Sequence, residues 1–266
     1  MTWILALLIL IFAAPAAAQD NASVTPPELR GVGIDQRLNQ QVPLGLRFRD
    51  ENGRAVTLGE FFKGRPVILS LVYYSCPMLC TTAENGLLNA LRQVRFSVGK
   101  EFEVVTVSFD PSDTPEMATA KKGVYVGLYG RTSARQGWHF LVGDEASIQA
   151  LTGAVGFHYR YLPDSRQFAH ATGLVVLTPQ GKVSRYFYGI LYPPRDLRLA
   201  LVEASSGKIG GPVDAVLLYC CQYDPATGKY GVLISRVMRL AGGITVLALG
   251  TLLLVLSRAR PAPLSS

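Results

Sequence analysis

The sequence predicts an α/β fold: a central sheet with flanking helices, preceded by an N-terminal β-hairpin and followed by one C-terminal transmembrane helix. Apolar runs of strand length alternate with segments of helical periodicity between residues 41 and 208. The turn pair Asn52-Gly53 interrupts an alternating apolar pattern at the start of that region, which is typical of a hairpin. Near the end of the chain, residues 240–257 carry no charged side chain. That stretch approaches the roughly 20 residues that a helix needs to cross a bilayer.

The first apolar run after the hairpin predicts a central strand and the helix that follows it. "RPVILSLVYY" (65–74) is continuously apolar and rich in β-branched residues, as expected of a strand buried on both faces. Helical periodicity then extends from about Pro77 to Val98. Pro77 suits the first helical position, because the amide there has no helical partner.

A second buried strand is predicted over "FEVVTVSFD" (102–110). The next helix has Asp113 or Thr114 as its N-cap and Pro115 at its first position. "WHFLVG" (138–143) predicts a short third strand. The helix after it ends where Gly156 can adopt a left-handed conformation.

The last part of the domain predicts an antiparallel hairpin and a helix. "FHYRYL" (157–162) is followed by a polar loop to His170, then by "TGLVVLTPQGKVSRYFYG" (172–189), which turns at its Pro-Gln-Gly. A helix is predicted from about residue 193 to 205. Strands joined by helical crossovers and closed by such a hairpin form the thioredoxin-like arrangement.

Both ends of the chain predict export and anchoring. The first residues are apolar and reach a small-residue cleavage site at Ala16-Ala17-Ala18, as in a secretory signal. With an exported body, the tail after the apolar segment lies in the cytoplasm and the main domain faces the periplasm from the inner membrane. The predicted organisation is a signal peptide (1–18), a linker (19–40), the thioredoxin-like domain (41–208), a juxtamembrane segment (209–238), a transmembrane helix (239–258) and a short tail (259–266).

The composition argues against a nucleic-acid-binding protein. The formal net charge of +7 comes from dispersed Lys and Arg residues, with no basic run or stripe. Attraction to acidic lipid headgroups or to an acidic partner accounts for such a charge.

Cys76 and Cys80 stand where the central strand ends and the next helix begins. In open α/β sheets, this edge is where ligand and reactive sites form. On a helix, residues four apart lie on one face, so the two sulfurs can converge on a soft metal ion or form a disulfide. The helix N-terminus favours the thiolate of Cys76.

Two thiolates leave a metal site incomplete, and the chain has three histidines. His139 and His158 lie in apolar strand-like runs, which indicates structural roles. His170 ends a polar loop that a thioredoxin-like fold brings beside the cysteines. A site of two sulfurs and one imidazole suits copper, and zinc with an added water is the alternative.

Four stretches resemble the Sco/SenC family of copper chaperones in order and spacing: "VYYSCPMLC", "VSFDPSDTPE", "WHFLVGDEASIQALTGAVG" and "FAHATGLVVLTPQGKV". The resemblance covers residues 40 to 205. It implies a thioredoxin-like fold, with Cys76, Cys80 and His170 as copper ligands. It also implies a role in assembling the binuclear copper centre of cytochrome c oxidase subunit II, by copper delivery, by reduction of the acceptor's cysteines, or by both.

Other roles for Cys76 and Cys80 are also compatible with the sequence. In a thiol–disulfide oxidoreductase, Cys76 attacks and Cys80 resolves. A peroxidase of the same fold is disfavoured, because Tyr73 replaces the threonine expected three residues before Cys76. A purely structural disulfide is the simplest alternative. The adjacent Cys220 and Cys221 indicate a juxtamembrane turn with free thiols, or a second metal, redox or partner station.

Overall fold

The computed structural model describes residues 29–208, 223–224, 229–230 and 232–258. The signal peptide, the start of the linker, most of the juxtamembrane segment with Cys220 and Cys221, and the tail lie outside the described residues. The strands are β1 Gly33–Ile34, β2 Arg47–Arg49, β3 Ala55–Thr57, β4 Val67–Val72, β5 Glu103–Ser108, β6 Trp138–Leu141, β7 Phe157–Leu162, β8 Gln167–His170, β9 Gly173–Leu177, β10 Val183–Tyr188, β11 Tyr223–Asp224 and β12 Lys229–Tyr230. The helices are α1 Leu79–Gln93, α2 Pro115–Tyr129, α3 Ala134–Gly137, α4 Glu145–Ala154, α5 Pro194–Ser205 and α6 Val232–Arg258, with a 3-10 turn at Leu58–Phe61.

Within the described residues, the central sheet has five strands in the order β10-β9-β4-β5-β6. Strands β4, β5 and β6 are parallel, and β9 and β10 add antiparallel to β4. The crossovers between the parallel strands run through α1 and α2, as the alternation of apolar runs and helical periods predicts. The mixed α/β arrangement predicted from the sequence is therefore confirmed.

Burial on both faces explains why the sequences of the two central strands, β4 and β5, are unbroken apolar runs. Every residue of β4 and of β5 is buried, including Ser70 and Thr106. Such strands can be covered on both faces only when helices pack on the sheet. Here α2 packs on β6, α5 packs on β9 and β10, and α1 contacts both helices.

A second, smaller sheet stands beside the central one and is formed by β1, β7 and β8. Strand β8 replaces the end of the loop that the sequence predicts before His170. Its register sets Tyr159 opposite His170 and Tyr161 opposite Phe168. The strand is only four residues long and follows a polar turn, and cross-strand aromatic pairing rather than an apolar run stabilises it, so the sequence did not indicate it.

The helix predicted from Pro77 to Val98 is shorter at both ends. It begins at Leu79, with Met78 in a non-helical conformation before it, so Pro77 is not its first residue. It ends at Gln93, because Val94 is extended and carries the chain away so that Val94 and Val98 both reach the core. The hairpin at Asn52-Gly53, the N-cap Thr114 and the left-handed Gly156 agree with the sequence predictions.

The C-terminal helix α6 contains the predicted span over residues 239–258. Across the described residues, however, none of the helices combines the length and the apolar character required to cross a membrane. The predicted transmembrane helix is not confirmed.

Candidate metal centre

Cys76 lies in a bend between β4 and α1, whereas Cys80 lies in the first turn of α1, so the two cysteines are not together on a helix. The amide of Cys76 donates to the carbonyl of Tyr73, 3.3 Å away, which turns the chain directly after the strand. Cys80 is the second residue of α1. Its amide donates to the sulfur of Cys76 at 3.3 Å, so the helix N-terminus contacts that sulfur as the sequence suggests.

His170 reaches the cysteines from the second sheet. Its Nε2 lies 3.4 Å from the sulfur of Cys80, although 90 residues separate the two in sequence. Its Nδ1 lies 2.8 Å from the carbonyl oxygen of Ala171, and this oxygen can only accept. Nδ1 therefore carries the proton, and the lone pair of Nε2 faces the sulfur.

The donor atoms of Cys76, Cys80 and His170 all lie within 4.8 Å of one another. Among the described residues, Cys76 and Cys80 are free thiols, so both sulfurs are available to an ion. Two sulfurs and one neutral imidazole form a soft donor set that fits copper better than a hard cation. The structure thus brings together the three residues that the sequence singles out.

The two thiols differ in acidity. Burial alone would raise the pKa of Cys76, but the amides of Cys80 and Met78 donate to its sulfur, and the net effect lowers that pKa. The hydroxyl of Tyr73 contributes in the same direction. For Cys80, burial dominates and raises the pKa far above its usual range, despite the donated amide of Tyr73 at 3.5 Å. At neutral pH Cys76 is therefore the better nucleophile and Cys80 remains protonated.

An aromatic wall surrounds the imidazole. The ring of His170 lies 5.7 Å from Tyr73, 5.2 Å from Phe109 and 6.4 Å from Phe157, measured between centroids. This burial lowers the pKa of His170, and its bond to the Ala171 carbonyl offsets the effect only in part. The imidazole is therefore neutral, as a metal ligand must be.

Tyr73, Phe109 and Phe157 were not assigned to the site from the sequence. Tyr73 does pack, but it also faces both the imidazole and the sulfur of Cys76. The available signal was positional: Tyr73 and Phe109 each stand immediately after a buried parallel strand, at the sheet edge where sites form.

Asp113 holds the bend that follows β4 in place through hydrogen bonds to two other residues. One carboxylate oxygen accepts from the amide of Tyr74 at 2.5 Å and from the hydroxyl of Ser108 at 2.6 Å. Asp110 makes only a local turn, accepting from the amide and hydroxyl of Ser112. Asp110 therefore shapes a local turn, whereas Asp113 supports the bend at Tyr74 through a contact that is distant in sequence.

The other two histidines take structural roles, as predicted. His139 packs on Phe61, with centroids 4.3 Å apart. His158 places Nε2 at 2.9 Å from a carboxylate oxygen of Asp35. Neither belongs to the cluster of metal-ligating side chains that the described part of the chain contains.

Comparison with known proteins identifies the family of this chain. The sequence model of the SCO1/SenC family matches residues 35–200, which is more than half of the chain. No curated protein matches. A structure from Aquifex aeolicus VF5, provisionally described as an electron transfer protein, is 28% identical with a TM-score of 0.56, covering 64% of this chain and 95% of that one.

Two further solved structures are similar to this chain. A SCO1/SenC family lipoprotein from Bacillus anthracis is 18% identical with a TM-score of 0.50, covering 64% of this chain and 99% of that one. ScoI from Arabidopsis thaliana, solved with copper bound, is 19% identical with a TM-score of 0.49, covering 62% and 99%. On the extent of the family match, this chain belongs to the SCO1/SenC family.

Proposed function

We propose that this chain is a membrane-tethered copper chaperone. It delivers copper to, or helps to mature, the binuclear copper centre of cytochrome c oxidase subunit II. The observation that carries the proposal is the convergence of Cys76, Cys80 and His170, whose donor atoms lie within 4.8 Å of one another. Family membership supports the same role. Copper is here the cargo, bound and released by exchange of ligands.

The acidity of each ligand determines how the cargo is taken up. Cys76 offers a thiolate stabilised by two amides, and His170 offers a neutral nitrogen. Cys80 must lose its proton, so copper uptake releases a proton and becomes more favourable as the pH rises. Oxidation of the pair to a disulfide removes both sulfur ligands, so loading requires the reduced protein.

Thiol–disulfide exchange is the second candidate, and the unequal thiols favour it. The Cys76 thiolate attacks a disulfide in the acceptor and expels one of its sulfurs as a thiolate. The Cys80 thiol then loses its proton and attacks Cys76, which releases the second acceptor sulfur. The acceptor gains two electrons and leaves as a dithiol, while this chain retains a Cys76–Cys80 disulfide. His170 is not a ligand in that reaction.

The proposed membrane tether and periplasmic location are supported by the sequence near the two ends of the chain. Residues 240–257 lack charge, and arginines at 239 and 258 flank them. Side chains in this part of α6, such as Leu247 and Leu253, are exposed and apolar. We place the domain on the periplasmic side of the inner membrane. Fractionation of cells, followed by protease treatment of spheroplasts, tests this placement.

The deciding experiment reconstitutes the reduced full chain with Cu(I) under anaerobic conditions. Metal analysis gives the stoichiometry, and X-ray absorption at the copper edge counts sulfur and nitrogen neighbours. His170→Ala is compared with His158→Ala, which removes an imidazole paired with Asp35 outside the cluster. Disulfide-exchange rates are measured on the same variants.

For a copper chaperone, we expect one copper with two sulfurs and one nitrogen, and a loss of affinity in His170→Ala alone. Mutation of a residue that only supports a ligand already costs about 10–100-fold in affinity, so loss of the ligand itself should cost about 100-fold or more, which equals about 2.7 kcal/mol or more. If His170→Ala keeps full copper affinity and full exchange activity, the oxidoreductase reading replaces the chaperone reading.

A further inference from the structure

The side chain of Met78 is exposed beside a buried pair of sulfurs. It lies in the bend between the two cysteines and is 73% exposed, whereas Cys76 and Cys80 are 8% and 0% exposed. Burial of the pair protects it from solvent, but it also means that an ion held by a carrier cannot reach Cys80 directly. Met78 is not one of the three residues of the metal centre, so the role of its exposed thioether is still to be explained.

The backbone of Met78 is held in place on both sides. Its carbonyl accepts from the amide and the hydroxyl of Thr82, at 3.0 and 3.1 Å, and its amide lies near enough to the sulfur of Cys76 to lower the pKa of that thiol. The residue precedes α1 in a non-helical conformation, with φ −149° and ψ −60°. The side chain therefore extends into solvent from a backbone position two residues after Cys76.

The chemistry of the side chain matches the cargo. A thioether is a neutral, soft donor that binds Cu(I) well and does not select zinc. Its flexible side chain can contact an approaching partner and then turn toward the bend. Met117, the other thioether among the side chains that the structure describes, packs against the core instead.

We propose that Met78 is a transient ligand that takes Cu(I) from its carrier and passes it to the buried site; this inference rests on the proposed function. First, the thioether sulfur binds the ion as one carrier ligand leaves. The Cys76 thiolate then displaces a second carrier ligand. Finally, Cys80 gives its proton to solvent, and its thiolate and the Nε2 of His170 replace the thioether. Copper remains Cu(I) throughout, so no electron donor or acceptor is needed.

The test measures the rate of loading rather than the final affinity. The reduced full chain and its Met78→Leu variant are mixed with Cu(I) held by the chromophoric chelator ferrozine, and loss of the chelate absorbance is followed by stopped flow. Leucine keeps the size and apolar character of the side chain and removes the sulfur. Because a first contact makes the later exchanges intramolecular, we expect the variant to load about 10-fold more slowly. Its equilibrium Cu(I) affinity should be unchanged.

Two controls separate the sulfur from its surroundings. Leu79→Ala removes the neighbouring exposed apolar side chain, which is 41% exposed, and keeps the thioether, so it should load Cu(I) at the parental rate. Loading of Zn(II) from the dye zincon should be equally fast in the parent and in Met78→Leu, because zinc gains little from a thioether.

Each other outcome overturns the inference. Parental Cu(I) loading by Met78→Leu shows that the thioether takes no part. Equal slowing with Cu(I) and Zn(II) assigns the effect to the shape of the bend. If both proteins bind Cu(I) with full affinity in these cases, the proposed function still stands. If the parent binds no copper through Cys76, Cys80 and His170, the proposed function fails as well.

Discussion

The amide of Cys80 donates a hydrogen bond to the sulfur of Cys76, 3.3 Å away. One cysteine thus supplies part of the field that stabilises the thiolate of the other, while its own sulfur lies deeper and stays protonated. The pair is therefore ordered in reactivity before any metal or partner arrives. This order applies both to copper uptake and to disulfide exchange.

The first prediction concerns alkylation of the reduced chain by iodoacetamide at neutral pH. Cys76 should react at least about 10 times faster than Cys80, because its pKa is lowered and its sulfur is the less buried of the two. Mass spectrometry of peptides from a time course gives both rates. Equal rates at the two positions would contradict the assigned acidities.

The second prediction concerns the pH dependence of stability. Glu84 is buried, and burial raises its pKa above the usual 4.5, although Lys121 at 3.0 Å offsets part of the effect. A raised pKa means that the folded state favours the protonated acid. The stability from this group is thus full below pH 4.5 and is lost as the pH rises through the folded pKa. Glu84→Gln mimics the protonated acid and should gain stability relative to the parent over that interval.

Asp144→Asn provides the control of opposite sign. The amide of Ser147 donates to the Asp144 carboxylate at 2.7 Å, and this bond lowers the pKa of Asp144 below 3.8. Its stabilisation is present above pH 3.8 and is lost as the pH falls. Urea unfolding of both variants across pH 3 to 7 should therefore give differences that change in opposite directions. Parallel curves for the two variants would refute the assignment.

The third prediction concerns the packing of α1 against the segment before α5. A Cβ added at Gly86 would lie 1.9 Å from the carbonyl oxygen of Ile190, which is backbone and cannot rotate away. Gly86→Ala should lower the free energy of unfolding by about 2 kcal/mol, as overpacking does in well-packed cores. Gly123→Ala in α2 meets nothing within 4 Å and should instead stabilise by about 0.5–1 kcal/mol, since alanine favours the helix. Thermal and urea unfolding measure both, and a neutral Gly86→Ala would be incompatible with this contact.

The fourth prediction concerns the support beneath the bend. Asp113→Ala leaves the amide of Tyr74 and the hydroxyl of Ser108 without their acceptor. Two buried donors without partners should cost about 3 kcal/mol of unfolding free energy and weaken copper binding. Asp110→Ala removes an exposed turn contact and should cost less than about 1 kcal/mol. Similar losses in both variants would show that Asp113 has no special role.

The central sheet could be predicted well from the sequence, because its strands are buried on both faces and therefore appear as unbroken apolar runs. The unbroken apolar runs over β4 and β5 admit few structures other than buried parallel strands. Thr114 and Gly156 signal their positions through local chemistry, and both agree with the structure. Features determined by neighbouring residues in the chain were thus open to prediction.

Features determined by contacts between residues distant in the chain could not be predicted from the sequence. The bend at Cys76 and the late start of α1 depend on Asp113, which holds Tyr74 from 39 residues away. Strand β8 depends on pairing with β7, and its four residues, Gln167–His170, are too few to give a periodic signal. The approach of His170 to Cys80 could be inferred from the fold and from resemblance, but its distance and its tautomer required coordinates.

The ligands of the proposed copper site come from two different sheets. The cysteines follow a strand of the central sheet, while His170 ends a strand of the smaller sheet formed by β1, β7 and β8. An ion held by all three residues would act as a removable cross-link between two otherwise separately hydrogen-bonded layers. Ring contacts of Tyr73 and Phe109 with Phe168 already join these layers, so a bound ion would tighten an existing contact between the two sheets rather than create one.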